Sequence, residues 1–163
     1  MAEITHGEKV KLDSKDKAIL EQLQENARQS IAEVAKNTKL PRDVVVYRIK
    51  KLEKNKVIRA YHTLLNSSKL GYPLYIWVLF VCNNITTEEE SRFIKFLKDH
   101  KNIIYVSKCS GKYDFSIGIC ARDYEQYDGI IREIRLKFPR IIRDIETVPT
   151  TQEYKFDWMV DLI

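Results

Sequence analysis

Residues 42–59 contain the side chains of this chain best suited to binding another molecule. The segment carries seven cations against two anions within a chain of 163 residues. Lys and Arg side chains bind phosphates, and an Arg fork also binds the edge of guanine. The segment therefore predicts recognition of a polyanion rather than bond-breaking chemistry. The cations are Arg42, Arg48, Lys50, Lys51, Lys54, Lys56 and Arg59.

The charge of the remaining sequence strengthens this prediction. Residues 1–65 carry 14 Lys and Arg against 9 Asp and Glu, whereas residues 66–163 carry 14 of each sign. The whole excess of +5 therefore lies in the first part, where one short element accounts for it. A run of charge is often only a solvated face. Its position beside a neutral second half nevertheless favours a polyanionic partner.

The three valines 44–46 favour a strand, but the wider pattern predicts a helix. On a helix Val45, Ile49 and Leu52 share one face, and burying each contributes about 1.5–3 kcal/mol. The helix propensity of a valine costs only about half a kcal/mol, so packing decides. The opposite surface is then predicted to face outward, with two further cations flanking it. It comprises Arg42, Asp43, Val46, Tyr47, Lys50 and Lys51, flanked by Arg48 and Lys54.

Two short helices are predicted before this basic helix. Asp13 is a suitable N-cap for the first, and Ser30 with Glu33 forms a capping box for the second. Pro41 suits the first turn of the third. Three helices with a tight turn between the last two predict a helix-turn-helix, whose third helix enters the major groove of DNA. The remaining alternative is a three-helix bundle with a solvated basic face.

Each outward side chain has an expected role if this helix binds DNA. Arg42 is expected to bind guanine, and Val44 or Val46 a thymine methyl group. Lys50, Lys51 and Lys54 are expected to contact phosphates, which adds affinity but little sequence information. Residues 57–66 alternate enough to predict a short strand leading out of this domain.

The rest of the chain predicts an α+β fold with the element order βαββαβ. Residues 74–82 form an apolar run too short for a membrane span and suited to a buried strand. Thr87 and Glu90 predict a capping box, and Gly111-Lys112-Tyr113 a hairpin turn. A helix ending at Pro139 follows, with the last strand or strands in "IIRDIETV" and "QEYKF". This order is that of a ferredoxin-like antiparallel sheet with helices on one face.

The uncovered face of this sheet is predicted to bind a second copy of the chain. Trp77, Phe80, Tyr105 and Phe115 are expected to lie on it, and an exposed aromatic surface of this kind usually marks an interface.

Three segments together resemble the leucine-responsive/AsnC (Lrp/AsnC) family of transcription regulators. They are "LDSKDKAILEQLQENAR", "RIKKLEKNKVIRAY" and "CSGKYDFSIGI", the last containing the family's G-x-Y-D turn. The resemblance implies a helix-turn-helix (winged-helix-like) DNA-binding domain in residues 1–57 and a linking strand and hinge in 58–72. Residues 73–163 would be a ferredoxin-like domain for effector binding and oligomerisation.

The same resemblance implies partners and a ligand site. Members form dimers through the second domain, often assembling further into octamer-like rings, and bind an amino acid or related effector between dimers. By position, Gly111, Tyr113 and Asp114 would line that site, with Thr147 and Thr150 contributing from the last strand. An Asp and a Gly in a hairpin turn also need no ligand to explain them. No cofactor is implied.

The sequence departs from the family pattern at several positions. Lys39 and Lys56 replace glycines, and Pro41 replaces a frequent N-cap serine. Asn55 is expected to adopt the left-handed conformation in place of Lys56. The final segment, "VPTTQEYKFDWMVDLI", also differs, and its apolar side chains are expected to pack on the domain or on a neighbouring subunit.

The sequence favours a non-enzymatic cytoplasmic protein without a membrane segment. Its histidines, His6, His62 and His100, are widely separated, and no hydrolase, kinase or nucleotide-binding motif is present. Its opening lacks a secretory signal, and its three cysteines suit a reducing compartment. One alternative is a haem-precursor decarboxylase of the same architecture, with His100 and Arg122 as candidate residues. Another is a small-molecule sensor whose DNA-binding half has decayed.

Overall fold

The computed structural model describes residues 7–163 and divides the chain into two compact units. The first contains the residues up to Leu64 together with Lys155–Ile163, and the second is Leu65–Tyr154. The boundary between Leu64 and Leu65 lies inside the expected linker 58–72. One detail differs from the expected domains: residues 155–163 pack with the first unit rather than the second. No helix within residues 7–163 is long and apolar enough to cross a membrane.

The described part of the first unit has three α-helices, as predicted: α1 (Ser14–Glu25), α2 (Ile31–Thr38) and α3 (Arg42–Lys54). The Asp13 carboxylate caps α1, and Ser30 and Glu33 form the capping box of α2. Both caps satisfy backbone N–H groups that have no partner inside the helix. The three valines are helical, because the buried side chains of the unit come from all three helices. The buried core is Ile19, Val34, Ala35, Val45, Ile49 and Leu52.

Two lysines adopt the left-handed conformation, at the positions where the sequence was noted above to depart from the resemblance. Lys39, between α2 and α3, has φ 57°, and Lys56, after α3, has φ 58°. Asn55 has φ −82°, so the expectation that it would take the left-handed position was wrong. The backbone explains the Lys39 conformation, since the Leu40 N–H donates to the Ala35 carbonyl at 3.1 Å and closes α2 in a tight turn.

The predicted strand in residues 57–66 is absent. The segment from Arg59 to Asn66 has no regular structure, and no strand in residues 7–163 pairs with it. A strand needs a partner for its backbone groups, so alternation alone did not produce one here. The described part of the first unit accordingly has no winged-helix strand.

The second unit is the predicted βαββαβ sandwich. Its elements are β1 (Leu74–Cys82), α4 (Thr87–Asp99), β2 (Ile103–Lys108), β3 (Phe115–Ala121), α5 (Tyr124–Lys137) and β4 (Ile142–Pro149). The strands form one antiparallel sheet in the order β2-β3-β1-β4. The N-cap of α4 is Thr86 with Glu89, one residue before the predicted Thr87 and Glu90. Residues 152–156 are not a strand, which corrects that expectation.

The two faces of the sheet divide its aromatic side chains. Phe80 and Phe115 were expected on the uncovered face, but both are buried and pack edge to face against Phe93 of α4. Trp77 and Tyr105 do lie on the other face, with their ring centroids 5.1 Å apart. The register explains this difference. Neighbouring residues of β1 point to opposite faces, so Phe80 and Trp77 cannot share one.

The segment Lys155–Ile163 packs on α1 through one glutamine. Gln24 Oε1 accepts the backbone N–H groups of Met159 (3.2 Å) and Val160 (2.9 Å), and Gln24 Nε2 donates to the Asp157 carbonyl. Val160 is only 3% exposed, and Lys17 Nζ donates to the Ile163 carbonyl at 2.6 Å. A single side-chain amide therefore holds three backbone groups of this segment.

Replacing that glutamine should release the segment. In Gln24→Ala, we expect backbone amides 159 and 160 to exchange hydrogen about tenfold faster or more, because they lose their acceptor. Hydrogen exchange of the full chain, read by mass spectrometry over residues 155–163, measures this. Glu25→Ala, at the neighbouring exposed position of α1, is the control and should leave the exchange unchanged. Equal exchange in both variants would contradict the role of Gln24.

Candidate nucleic-acid interface

The exposed face of α3 is the candidate interface. At about 3.6 residues per turn, the line opposite the buried Val45, Ile49 and Leu52 runs through Asp43, Tyr47 and Lys54. Tyr47 is 67% exposed. Lys50 and Lys51 are exposed on either side of this line, and Val44 and Val46 are half-buried along its edges. Arg42 is exposed at the first position of α3, but it lies about 130° around the helix axis from this line, on the side of Val45 and Ile49. The remaining predicted residues lie on one surface, with one exception.

Arg48 is the exception, because its side chain turns inward. Its Nη1 lies 2.7 Å from Asp13 Oδ1 and 2.7 Å from Asp16 Oδ1, and the side chain is 18% exposed. Arg48 was expected to flank the outward surface. Instead it connects α3 to the beginning of α1, so we remove it from the candidate DNA contacts.

These three charged groups also complete the cap of α1. Asp16 Oδ2 accepts the Asp13 backbone N–H, while Asp13 Oδ1 accepts those of Lys15 and Asp16. The hydrogen bond from the Asp16 backbone, followed by the Arg48 guanidinium, lowers the pKa of Asp13. The stability linked to this low pKa is present above the unfolded value and is lost as the pH falls through the folded one. The Asp13 contribution therefore disappears only in acid.

The start of α3 lacks a side-chain cap. Its N-cap is Pro41, which accepts the Val45 N–H with its carbonyl but has no hydroxyl for the first N–H groups of the helix. These groups and the helix dipole favour an anion near this end. Two exposed cations that sequence reasoning missed, Lys36 and Lys39, lie just before it in α2 and in the turn. The charge excess did not reveal them, because residues 42–59 alone account for all of it; their place just before the basic helix was the signal that could have identified them.

The predicted effector residues are only partly brought together. Asp114 Oδ2 accepts the Cys82 backbone N–H at 2.7 Å, which ties the turn to the end of β1. Tyr113 donates its hydroxyl hydrogen to Glu146, and Lys112 Nζ lies 3.3 Å from the same carboxylate. Gly111 is exposed with φ 130°, a conformation that favours glycine.

Thr147 and Thr150 lie away from this turn. Thr147 pairs with Val78 on the helix-covered face of the sheet, whereas Glu146 pairs with Leu79 on the other face. The Thr150 backbone N–H donates to Tyr75, at the beginning of β1. Asp114 contacts the end of that strand, about 20 Å further along at about 3.3 Å per residue. One protomer therefore does not place Thr150 and Asp114 in one small-molecule site.

The described candidate residues for enzymatic chemistry do not form one site. His100 makes contacts within the fold, and Arg122 and His62 lie on separate exposed segments. His100 Nε2 lies 3.6 Å from Glu133 Oε2, and its Nδ1 accepts the Asn102 N–H. Arg122 is exposed at the end of β3, His62 is exposed in the segment after α3, and His6 lies outside the described residues. Within residues 7–163 no group of His, Cys, Asp and Glu is arranged to hold a metal ion.

Comparison with known proteins supports the interpretation of α1 to α3 as a helix-turn-helix domain. A family model described as the AsnC-type helix-turn-helix domain matches residues 12–53. An uncharacterized HTH-type transcriptional regulator of Pyrococcus abyssi is 28% identical over 158 residues, covering 97% of this chain and 98% of the relative. The structure of LrpC from Bacillus subtilis has a TM-score of 0.78 at 25% identity, covering 91% of this chain and 100% of LrpC.

A third similarity concerns the fold. The transcriptional regulator NMB0573 of Neisseria meningitidis, whose structure was solved as a complex with L-Met, has a TM-score of 0.82. It is 19% identical, and the match covers 94% of this chain and 100% of that one. Both units of the present chain therefore have counterparts in one known architecture.

The inward position of Arg48 gives a stability prediction. Arg48→Ala should lower the free energy of unfolding by about 2–4 kcal/mol, because it leaves the buried Asp16 carboxylate without its counter-charge. Urea unfolding followed by circular dichroism measures this. Lys50→Ala, on the exposed face of the same helix, should change it by less than about 0.5 kcal/mol. Equal effects of the two substitutions would show that the Arg48 ion pairs contribute nothing specific.

Proposed function

Because the chain belongs to the Lrp/AsnC family of transcription regulators, we propose that the exposed face of α3 binds the major groove of operator DNA. The observation that carries this proposal is the outward set of Lys50, Lys51 and Lys54, with the exposed Arg42 at the first position, on a helix whose other face is core. Those cations suit phosphates and guanine, and the half-buried valines suit thymine methyl groups. Tyr47 lies between these cations and valines, where its side chain can contact either a phosphate or a base edge.

A second copy of the chain is the proposed partner of the sheet. Trp77, Tyr75 and Tyr105 form an edge-to-face cluster on the face that the helices leave open. Burying it against the same surface of another protomer would remove apolar area from water and give a symmetric dimer. A dimer with two α3 helices suits a pseudo-palindromic operator. Assembly beyond the dimer, up to an octamer, and a cytoplasmic location belong to the same proposal.

An amino-acid effector is the proposed ligand of the turn at residues 111–114. The L-Met complex of the Neisseria regulator motivates this ligand class. One oxygen of Asp114 is used by Cys82, which leaves the other to attract an ammonium group. The Thr147 and Thr150 positions in one protomer mean that they could join this site only from a neighbouring protomer.

The decarboxylase alternative receives no support from the geometry. His100 is paired with Glu133 at the end of α4, and Arg122 follows β3. The relatives named above from Pyrococcus abyssi and Neisseria meningitidis are transcriptional regulators.

The lysines of α3 should determine the salt dependence of DNA binding. Each of Lys50→Ala, Lys51→Ala and Lys54→Ala should reduce the slope of log affinity against log salt by about 0.9 per lost phosphate contact, or about 1.8 for a dimer with two bound α3 helices, and should weaken binding to all sequences. Fluorescence anisotropy with specific and random duplexes at several salt concentrations measures both effects. Lys101→Ala, an exposed lysine of the second unit, is the matched control. An unchanged slope in all three α3 variants would rule out their phosphate contacts.

Asp114 offers a separate test of the effector site. Asp114→Asn keeps an oxygen to accept the Cys82 N–H but loses the negative charge, so any amino acid bound there should lose about tenfold in affinity or more. Titration calorimetry with a panel of amino acids measures this. Asp128→Asn, on an exposed position of α5, is the control. Amino-acid binding that survives unchanged in Asp114→Asn would exclude Asp114 from the site, and DNA binding should be retained in both variants.

A further inference from the structure

Asp43 is a negative charge at the centre of a surface that should approach a polyanion. It lies in the first turn of α3, exposed, on the line opposite the buried residues and one turn before Tyr47. Any approach of this face to DNA that brings Tyr47 close also brings Asp43 close. The carboxylate would then move toward phosphates that repel it, unless a donor on the DNA compensates.

The carboxylate of the other anion of this helix has a partner, whereas that of Asp43 has none among residues 7–163. Glu53 is half-buried, and its Oε1 accepts the Tyr61 hydroxyl at 3.0 Å. The Asp43 carboxylate makes no hydrogen bond or ion pair with any of these residues. The helix dipole stabilises a negative charge in the first turn by about 0.3–1 kcal/mol. This effect explains an acidic residue here without DNA, and it predicts no preference for any base.

The major groove offers a carboxylate few donors. Cytosine presents its N4 amino group and adenine its N6 amino group, whereas guanine and thymine present acceptors there. The adenine amino group has the N7 acceptor beside it, which repels a carboxylate. The cytosine amino group is next to a C–H edge and has no such neighbour on its own base. Cytosine is therefore the base that compensates the Asp43 charge best.

We propose that Asp43 is a specificity-determining residue that accepts a hydrogen bond from a cytosine amino group in each operator half-site. This inference rests on the proposed function, because it requires α3 to enter the major groove. It gives Asp43 a role distinct from that of Lys50, Lys51 and Lys54. The lysines supply affinity for any duplex, whereas Asp43 lowers affinity for sequences lacking cytosine at one position.

Selection from randomised duplex DNA with the full chain tests this role. Wild type should recover cytosine at one position of the half-site, preferred by about 5- to 150-fold over other bases. Asp43→Asn should change that preference to adenine, because an asparagine amide pairs with adenine N6 and N7. Asp43→Ala should recover any base at that position and keep the preferences elsewhere. Circular dichroism should show the same helix content in all three proteins.

The possible failures are distinguishable. A wild type that recovers a preferred sequence while both Asp43 variants recover the same sequence would overturn the role of Asp43 and leave the proposed function standing. A wild type that recovers no preferred sequence would overturn the proposed function and the Asp43 role with it.

Discussion

The Arg48 guanidinium between Asp13 and Asp16 fixes the orientation of α3. Hydrophobic contacts hold α3 against α1 and α2, but such contacts tolerate rotation of a helix about its axis. The two 2.7 Å ion pairs, one to a carboxylate only 4% exposed, tolerate much less. The outward direction of Asp43, Tyr47 and Lys54 follows from the burial of Val45, Ile49 and Leu52 together with this connection. Arg48 thus stabilises the fold, whereas Lys50, Lys51 and Lys54 of the same helix face outward.

The sequence predicted those features of the first unit that depend on local chemistry. Caps at Asp13 and Ser30 and the buried spacing of Val45, Ile49 and Leu52 were confirmed, because capping and helical periodicity act within a few residues. The inward turn of Arg48 was not predictable in this way, since its partners lie more than thirty positions earlier. The left-handed Lys39 and Lys56 are also set by the chain around them, against the preference of the residue itself.

The second unit shows the same division between local and distant information. Its element order was confirmed, but the start of α4 was displaced by one residue because Thr86-Glu89 and Thr87-Glu90 are equally good capping boxes. Phe80 was assigned to the wrong face because the run from Leu74 to Cys82 is apolar throughout and carries no alternation. The effector residues were transferred by family position, and only coordinates show that β1 separates Thr150 from Asp114.

The packing of Lys155–Ile163 on α1 makes the second unit an insertion within the first. A fragment that ends at Leu64 would therefore lack residues 155–163, which pack on its α1 helix. The complementary fragment would carry these residues without the helix on which they pack. In that second fragment the side chain of Val160, together with the half-exposed Trp158 and Met159, would be open to water. Such a fragment would then self-associate through this newly exposed apolar segment. Its self-association would therefore not test the proposed association through the open face of the sheet.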